Sequence, residues 1–425
     1  MTSFSNYEKI QDFKKSGTAI FEGVNYAYVI SPYLYDTSLV GRAKKLIFSL
    51  FFSTRILKRT VADSSVLLFY SCRHKGRADY DYIPNRLQEL LGDCCVYAEC
   101  GERFSLMQAC RTLARFRSSF RGMAGYRNGI WHRIAAALLI AKYRATAGHA
   151  FSSILQGKDC LVTFCDAQAP ENLLTQIANT AGLFTVTNQH GQYRILDKTN
   201  MSADAEAYAN FVSHRMLCWG EATQTEFARY GVSPERLVVT GWIKDWNRAG
   251  LPRTTATPKG VFGVMLNADT GRESNFALLE TAKFIAKKLG LVYLIRLHPW
   301  SDPKEYEKLL DEHSQSIGRF DLSTYLSRVD FSLAHMSGAV IEVLHAGAPV
   351  YLLDDGRLAK AFQVDGLSHL NSCAVAAAIV SDQSAPTSAQ HRLVKLAQWY
   401  NDDSQQAIRI RQIILNERGG CASNL

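Results

Sequence analysis

Polar and charged side chains that a hydrophobic core does not need recur in this 425-residue chain where short apolar runs end. Asp166 directly follows Leu161-Val162-Thr163-Phe164-Cys165. A carboxylate there can serve as base or nucleophile, or it can cap the helix that Pro170 opens. The segment Asn188-Gln189-His190-Gly191-Gln192-Tyr193-Arg194 follows the next run. Gly191 lets the chain turn sharply and holds the His190 imidazole at a loop tip, where it can move a proton or donate to an anion. Gln189 and Arg194 beside it are expected to contact an acceptor or anion.

A second group lies later in the chain. In Arg296-Leu297-His298-Pro299, residues two apart share a strand face, so Arg296 and His298 present two donors to one side, which suits a phosphate. Pairing of Arg296 with a buried acid is the structural alternative. His335-Met336-Ser337-Gly338-Ala339-Val340-Ile341-Glu342 reads as a strand-to-helix junction. Ser337 and Gly338 open the helix, where unpaired amides favour an anion. Glu342, about one turn in, is placed to accept ribose hydroxyls. Asn267, in Asn267-Ala268-Asp269-Thr270-Gly271-Arg272, is a further phosphate contact or part of an ordinary glycine-bearing turn.

The elements that must position these residues alternate. Strands are expected at Ser65–Tyr70, Leu161–Cys165, Leu183–Thr187, Met216–Trp219 and Leu237–Thr240, with another near Ala27–Ile30. Helices are expected at Pro170–Ala181 and Glu221–Tyr230. After the proline-punctuated stretch 247–259 the alternation restarts: strands at Gly260–Leu266, Val292–Leu297, Asp330–Leu333 and Val350–Leu353, helices at Asn275–Leu289, Lys304–Glu312 and Gly338–Ala346. The chain therefore reads as α/β, with two Rossmann-like domains facing across a cleft. The expected division is 1–246, a linker at 247–259, a nucleotide-binding domain at 260–390, and a C-terminal helix at 391–425 that could pack back on the first domain. Ligands of such sheets bind beyond the carboxyl ends of the strands, where all the segments above fall.

Composition narrows the function. With 47% hydrophobic and 20% charged residues, the chain is too apolar for disorder and long enough for two cores. No stretch reaches the roughly 18–20 apolar residues that span a bilayer, and the start lacks a signal-peptide core, so a cytoplasmic location is expected. The ten cysteines lack zinc-like spacing and read as reduced packing residues. The 48 Lys and Arg exceed the 39 Asp and Glu, and the excess is local. No acid occurs from Arg103 through Lys158, and Leu39–Lys58 sets Leu46-Ile47-Phe48-Ser49-Leu50-Phe51-Phe52 among basic residues. No nucleic-acid-binding signature accompanies this charge. Anionic lipid or a phosphate-bearing acceptor fits better, with Ile130–Tyr143 and Leu39–Lys58 as interfacial helices or as buried helices with a basic edge. No Asp-x-Asp pair suited to a metal ion lies near the candidate site, and no cofactor is expected beyond a nucleotide-activated substrate.

From about Leu161 to Leu353, the His-Gly turn, Gly241-x-x-x-Asp245, Arg296-x-His298-Pro299 and Ser337-Gly338 with Glu342 and Gly347-Ala348-Pro349 resemble the GT-B superfamily. Closest in pattern are bacterial surface-polysaccharide enzymes: the CDP-glycerol glycerophosphotransferase-like group, capsule Kdo transferases and polysialyltransferases. The resemblance implies metal-independent transfer from a nucleotide-activated, cytidine-linked donor to a glycan or lipid-linked glycan. It implies that His298 and Ser337 contact donor phosphate and that His190 is base or electrostatic helper. The glycerophosphotransferase group has Ser-Ser and an aromatic-Asp pair where this chain has Ser337-Gly338 and Ile341-Glu342. That difference favours a sugar such as Kdo or a sialic acid over an alditol phosphate. The alternatives are a CDP-glycerol/ribitol-type phosphotransferase, a sugar-nucleotide epimerase and a non-catalytic binder. Inverting chemistry would use His190 or Asp166 as base, and retaining chemistry would use Asp166 as nucleophile.

Overall fold

The computed structural model describes residues 3–36, 38–60, 64–71, 78–191, 210–229, 231–244, 259–268, 271–299 and 301–416. Its first domain opens with α1 (Ser3–Lys15), the short pair β1 (Ile20–Phe21) and β2 (Val24–Asn25), α2 (Tyr26–Leu34) and α3 (Leu39–Phe51). There follow β3 (Phe52–Arg59), β4 (Val66–Ser71), α4 (Ala78–Leu91), β5 (Cys95–Phe104), α5 (Met107–Arg121) and α6 (Ile130–Thr146). The domain continues with β6 (Cys160–Thr163), α7 (Glu171–Thr180), β7 (Phe184–Asn188), β8 (Arg215–Cys218), α8 (Glu221–Ala228) and β9 (Leu237–Val239). Seven strands form one sheet in the order β3-β5-β4-β6-β7-β8-β9, parallel except for β3 against β5. Central β4 is buried along its whole length, which is why it is apolar without alternation.

The second domain comprises β10 (Val261–Met265), α9 (Arg272–Leu289), β11 (Val292–Arg296), α10 (Pro303–Glu307), β12 (Ser314–Gly318) and α11 (Leu322–Leu326). It continues with β13 (Ser332–Ala334), α12 (Gly338–His345), β14 (Val350–Leu353), β15 (Ser368–His369), α13 (Ser372–Ser384), α14 (Pro386–Tyr400) and α15 (Gln406–Asn416). Its six strands are all parallel, in the order β12-β11-β10-β13-β14-β15. Renumbered within the domain this is 3-2-1-4-5-6, the doubly wound Rossmann order. Helices start on oxygen caps: Asp302, Asp321, Ser337 and Asn371 each accept a first-turn amide. Helix α9 stops at Gly290, whose left-handed φ of 67° needs no Cβ.

One apolar cluster runs from Leu68, Val162 and Val186 of the first sheet through Trp219 and Trp242 into Leu294, Ala334 and Leu352 of the second. It joins the domains at the carboxyl edges of their strands. The last segment crosses this junction. Asn401 accepts the Trp242 amide at 2.6 Å, the Asp402 amide donates to the Trp219 carbonyl at 2.9 Å, and Arg411 donates to the Leu90 carbonyl at 2.6 Å. Gly241, with φ of 87°, makes the crossing possible, because a Cβ there would come within 2.6 Å of the Asp403 Cα. Two Rossmann-like domains facing edge to edge make this a GT-B architecture.

Several expected elements differ. Ala27–Ile30 is not a strand but part of α2, because the Asn25 side chain accepts the Ala27 amide and buries Tyr26, Ala27, Val29, Ile30 and Leu34 with helical spacing. The single C-terminal helix is two, α14 and α15, broken where the chain crosses the junction at Asn401–Gln405. Leu39–Lys58 is helical only to Phe51; Ser53, Thr54 and Ile56 continue it as edge strand β3. Helix α6 is an internal helix and not an interfacial one: Ala135–Tyr143 lie in the core, and only its first turn is exposed. Of the stretch read as linker, 247–258 lies outside the described residues. Cys95, Cys100, Cys160, Cys165 and Cys218 are buried thiols, whereas Cys110 and Cys373 are exposed. No helix among the described residues is long and apolar enough to cross a membrane.

Candidate functional site

The carboxyl edge of the second sheet gathers the later candidates. Arg296 ends β11, Asn267 follows β10, and Ser337 follows β13. Since β10 lies between β11 and β13, with Met265 paired to Arg296 on one side and Ala334 on the other, Arg296 and Ala334 stand two strand spacings apart, roughly 10 Å, and Ser337 follows three residues later. This is also where the strand order reverses, the usual ligand crevice of a doubly wound sheet. Burial alternates along the strand end: Leu297 is buried while Arg296 and His298 are partly open. Arg296 Nε donates to the Phe320 carbonyl at 2.9 Å, which orients the guanidinium. Burial lowers its pKa, and the negative charges of Glu342 and Asp321 oppose that. Such a group stays cationic at any ordinary pH.

Ser337 is extended (φ −158°, ψ 148°), and its Oγ accepts the Ala339 amide at 3.3 Å, capping α12. At Gly338 an added Cβ would meet nothing within 4 Å, so the first helical residue is open on the side where a side chain would sit. Glu342 differs from the expectation of an open ribose acceptor: its carboxylate forms an ion pair with Lys244, which follows β9 of the first domain. The Lys244 ammonium also lies 5.4 Å from the Trp242 ring. The Lys244–Glu342 ion pair thus bridges the domain junction. Asn267 is buried, and its backbone is clamped by the Asn275 side chain, which accepts its N–H at 2.8 Å and donates to its C=O at 3.0 Å. That clamp shapes the loop after β10; Asp269 and Thr270 lie outside the described residues.

The first-domain candidates separate. Asp166 is 1% exposed, and its Oδ2 accepts the Val212 amide at 2.8 Å, the Ser213 amide at 2.6 Å and the Ser213 hydroxyl at 2.7 Å. It anchors the chain entering β8; the cleft base or nucleophile expected from the sequence is not what this geometry provides, because water and substrate cannot reach it. Burial pushes its pKa up, opposed by these hydrogen bonds and the Arg236 charge. Gln189 is likewise consumed: its Oε1 accepts the Trp219 amide and the Thr223 hydroxyl, each at 2.8 Å, and its Nε2 donates to the Gly191 carbonyl. It stitches β7 to β8, and does not serve as an acceptor contact. His190 is half-buried just past β7, its ring 5.5 Å from Phe164 and 5.8 Å from Tyr80, with Nε2 3.9 Å from the Cys165 sulfur. Arg194 and Asp245 lie outside the described residues.

Sequence reading missed a linked group at the next two strand ends. His335, after β13, meets Asp355, after β14, at 3.1 Å; Ser274 of α9 donates to the same carboxylate at 2.7 Å. Burial tends to raise the pKa of Asp355, but the Ser274 hydroxyl, the His335 charge and the Arg357 amide together hold it below the ordinary carboxylate range. His335 stands two residues before Ser337, so the strand-end rule could have found it. Asp355 could not be linked to it without knowing that β13 and β14 are neighbours.

No family model matches the chain, and no curated protein matches it. Solved structures resemble its course. A UDP-GlcNAc 2-epimerase from Neisseria meningitidis bound to UDP-GlcNAc is 14% identical, with 83% of this chain and 100% of that one covered and a TM-score of 0.47. The glycosyltransferase of kitacinnamycin is 13% identical, covering 83% and 98% with a TM-score of 0.48. The wall teichoic acid polymerase TagF is 13% identical, covering 85% and 91% with a TM-score of 0.41. Likeness at this level brings no activity with it. The two-domain architecture stands on the strand orders of the chain itself.

Proposed function

We propose that this chain is a glycosyltransferase that moves a sugar from a nucleotide-activated donor to a bacterial surface glycan, with a CMP-linked Kdo- or sialic-acid-like sugar as donor. The observation that supports the reading is that Arg296 and His298, at the end of β11, and the capped start of α12, after β13, lie at the same carboxyl edge of the second sheet on either side of β10. Two basic side chains and a helix amino terminus stabilise the charge that develops on a departing nucleotide phosphate as its bond to the anomeric carbon breaks. His190 takes the proton from the attacking acceptor hydroxyl, and its aromatic surroundings fix the ring. With Asp166 withdrawn into the interior, this assignment implies inversion at the anomeric carbon. The cytidine and sugar assignments rest on the motif resemblance alone.

The test has two stages. Thermal shift with CMP, CDP, UDP and GDP should favour a cytidine nucleotide, since a ligand raises apparent stability with its saturation; preference for uridine or guanosine overturns the donor assignment. Incubating the preferred sugar nucleotide alone and with glycan acceptors then separates transfer from epimerisation. An isomer formed without acceptor would replace the transferase reading with an epimerase.

A further inference from the structure

Phe48 of α3 and Phe116 and Phe120 of α5 pack on the core, but the fully buried positions of both helices are small or polar while aliphatic side chains face outward. In α3 the buried residues are Gly41 and Ser49, while Leu39, Val40, Leu46 and Ile47 face outward, from 41% exposed at Leu46 to 73% at Leu39. In α5 the buried residues are Gln108, Thr112 and Ser119, while Met107 and Leu113 are exposed. The polar side chains are spent between the helices: Gln108 donates to Thr112 Oγ1 at 3.0 Å, and Thr112 donates to the Ser49 carbonyl at 2.9 Å. A helix pair folding against water alone would place these sets the other way round. Small and polar residues inside with aliphatic residues outside is the arrangement used where the surroundings are themselves apolar.

The patch continues at the tip of the β3–β5 pair. There Phe51 stacks on Phe104 with centroids 6.1 Å apart, and Phe104 and Leu106 are exposed. This tip extends beyond Cys100, the last β5 residue paired with β4, toward the edge of the sheet at which the domains meet. Charge around it is one-sided. Lys44, Arg55, Arg103 and Arg117 are exposed, and the chain carries no Asp or Glu from Arg103 through Lys158. Glu102 is neutralised by the buried Lys142, whose Nζ lies 3.0 Å from both of its oxygens. Asp36 is the exposed acid near the amino end of α3.

We infer that the outer face of α3 and α5, with the Phe104–Leu106 tip, docks in the plane of an anionic lipid surface. The aliphatic side chains enter the acyl boundary, and the basic residues meet the head groups. The inference stands apart from the donor chemistry: a protein inactive in transfer would still bind. It would also bring a lipid-carried acceptor to the end of the sheet where the domains meet.

Flotation of the full chain with phosphatidylcholine vesicles, with and without phosphatidylglycerol, tests it. Binding should require phosphatidylglycerol, weaken with salt, and fall by at least about tenfold in Ile47→Glu and in Leu113→Glu, both exposed positions that leave the circular dichroism unchanged. Lys44→Glu with Arg117→Glu should weaken binding at low salt more than at high salt. Failure of the wild type to float, or wild-type flotation of both glutamate variants, overturns the proposal. So does a vesicle-free dimer that Ile47→Glu dissociates, which would make this face a self-interface.

Discussion

The two sheet edges that meet at the junction carry similar polar loops and use them differently. At the first-domain edge, Asp166 and Gln189 spend side-chain oxygens on neighbouring backbone amides, and the side-chain nitrogen of Asn172 donates to the Asp166 and Asn210 carbonyls at 2.7 and 3.1 Å. At the second-domain edge, Arg296 and His298 are partly open, and so are Ser337 and Gly338 at the start of α12. A polar residue at a strand end therefore signals a site only when it stays within reach of solvent. Buried, the same residue type is scaffolding, because an unsatisfied buried polar group costs more than its hydrogen bond returns.

The contrast predicts opposite phenotypes. His190→Ala should lower kcat by about 10²–10⁴-fold with little change in Tm, in the range of a lost general base; near-normal turnover would move the proton acceptor elsewhere. Arg296→Lys keeps the charge but loses the fork, and should cost about 10²-fold in kcat/KM for the donor. Asp166→Ala should act on the fold, with a loss of about 2–5 kcal/mol in denaturant melts as the Val212 and Ser213 amides lose their acceptor. Asp166→Asn should recover most of that stability and keep activity, whereas a stable but inactive Asp166→Asn would restore Asp166 to the chemistry.

Two smaller effects sharpen the comparison at the junction and behind the donor crevice. Lys244→Ala removes the ion pair with Glu342 and should cost about 1 kcal/mol, less at high salt, read by unfolding at two ionic strengths. Asp355, held below its ordinary pKa, contributes stability that is complete above about pH 4, the unfolded carboxylate value, and is lost as pH falls through the lower folded value. The acid-unfolding curve of Asp355→Asn should therefore be flatter than that of the wild type; identical slopes would remove Asp355 from the linkage.

The strands that form both sheet centres were legible from their apolar β-rich runs, most closely at Val350–Leu353, because a strand covered on both faces has no room for polar alternation. The outer elements were not. Strand β3 follows α3 without a break residue, and its identity depends on pairing with β5, 52 positions away in the register Phe52↔Phe104. Among the candidate residues, the places of Arg296, His298 and Ser337 at strand ends were visible because the strand-end rule is local. Pairing of Glu342 with Lys244 and of His335 with Asp355 was invisible, since each joins residues from separate elements.

By itself the sequence determined the alternation of strand and helix, the α/β class and the sheet edge on which the candidate residues fall, since all three follow from periodicity and short-range sterics. Only the tertiary structure decided which polar residues remain available and which aliphatic residues stay outside. Both depend on what packs against them, and desolvation is a property of neighbours brought together from distant parts of the chain.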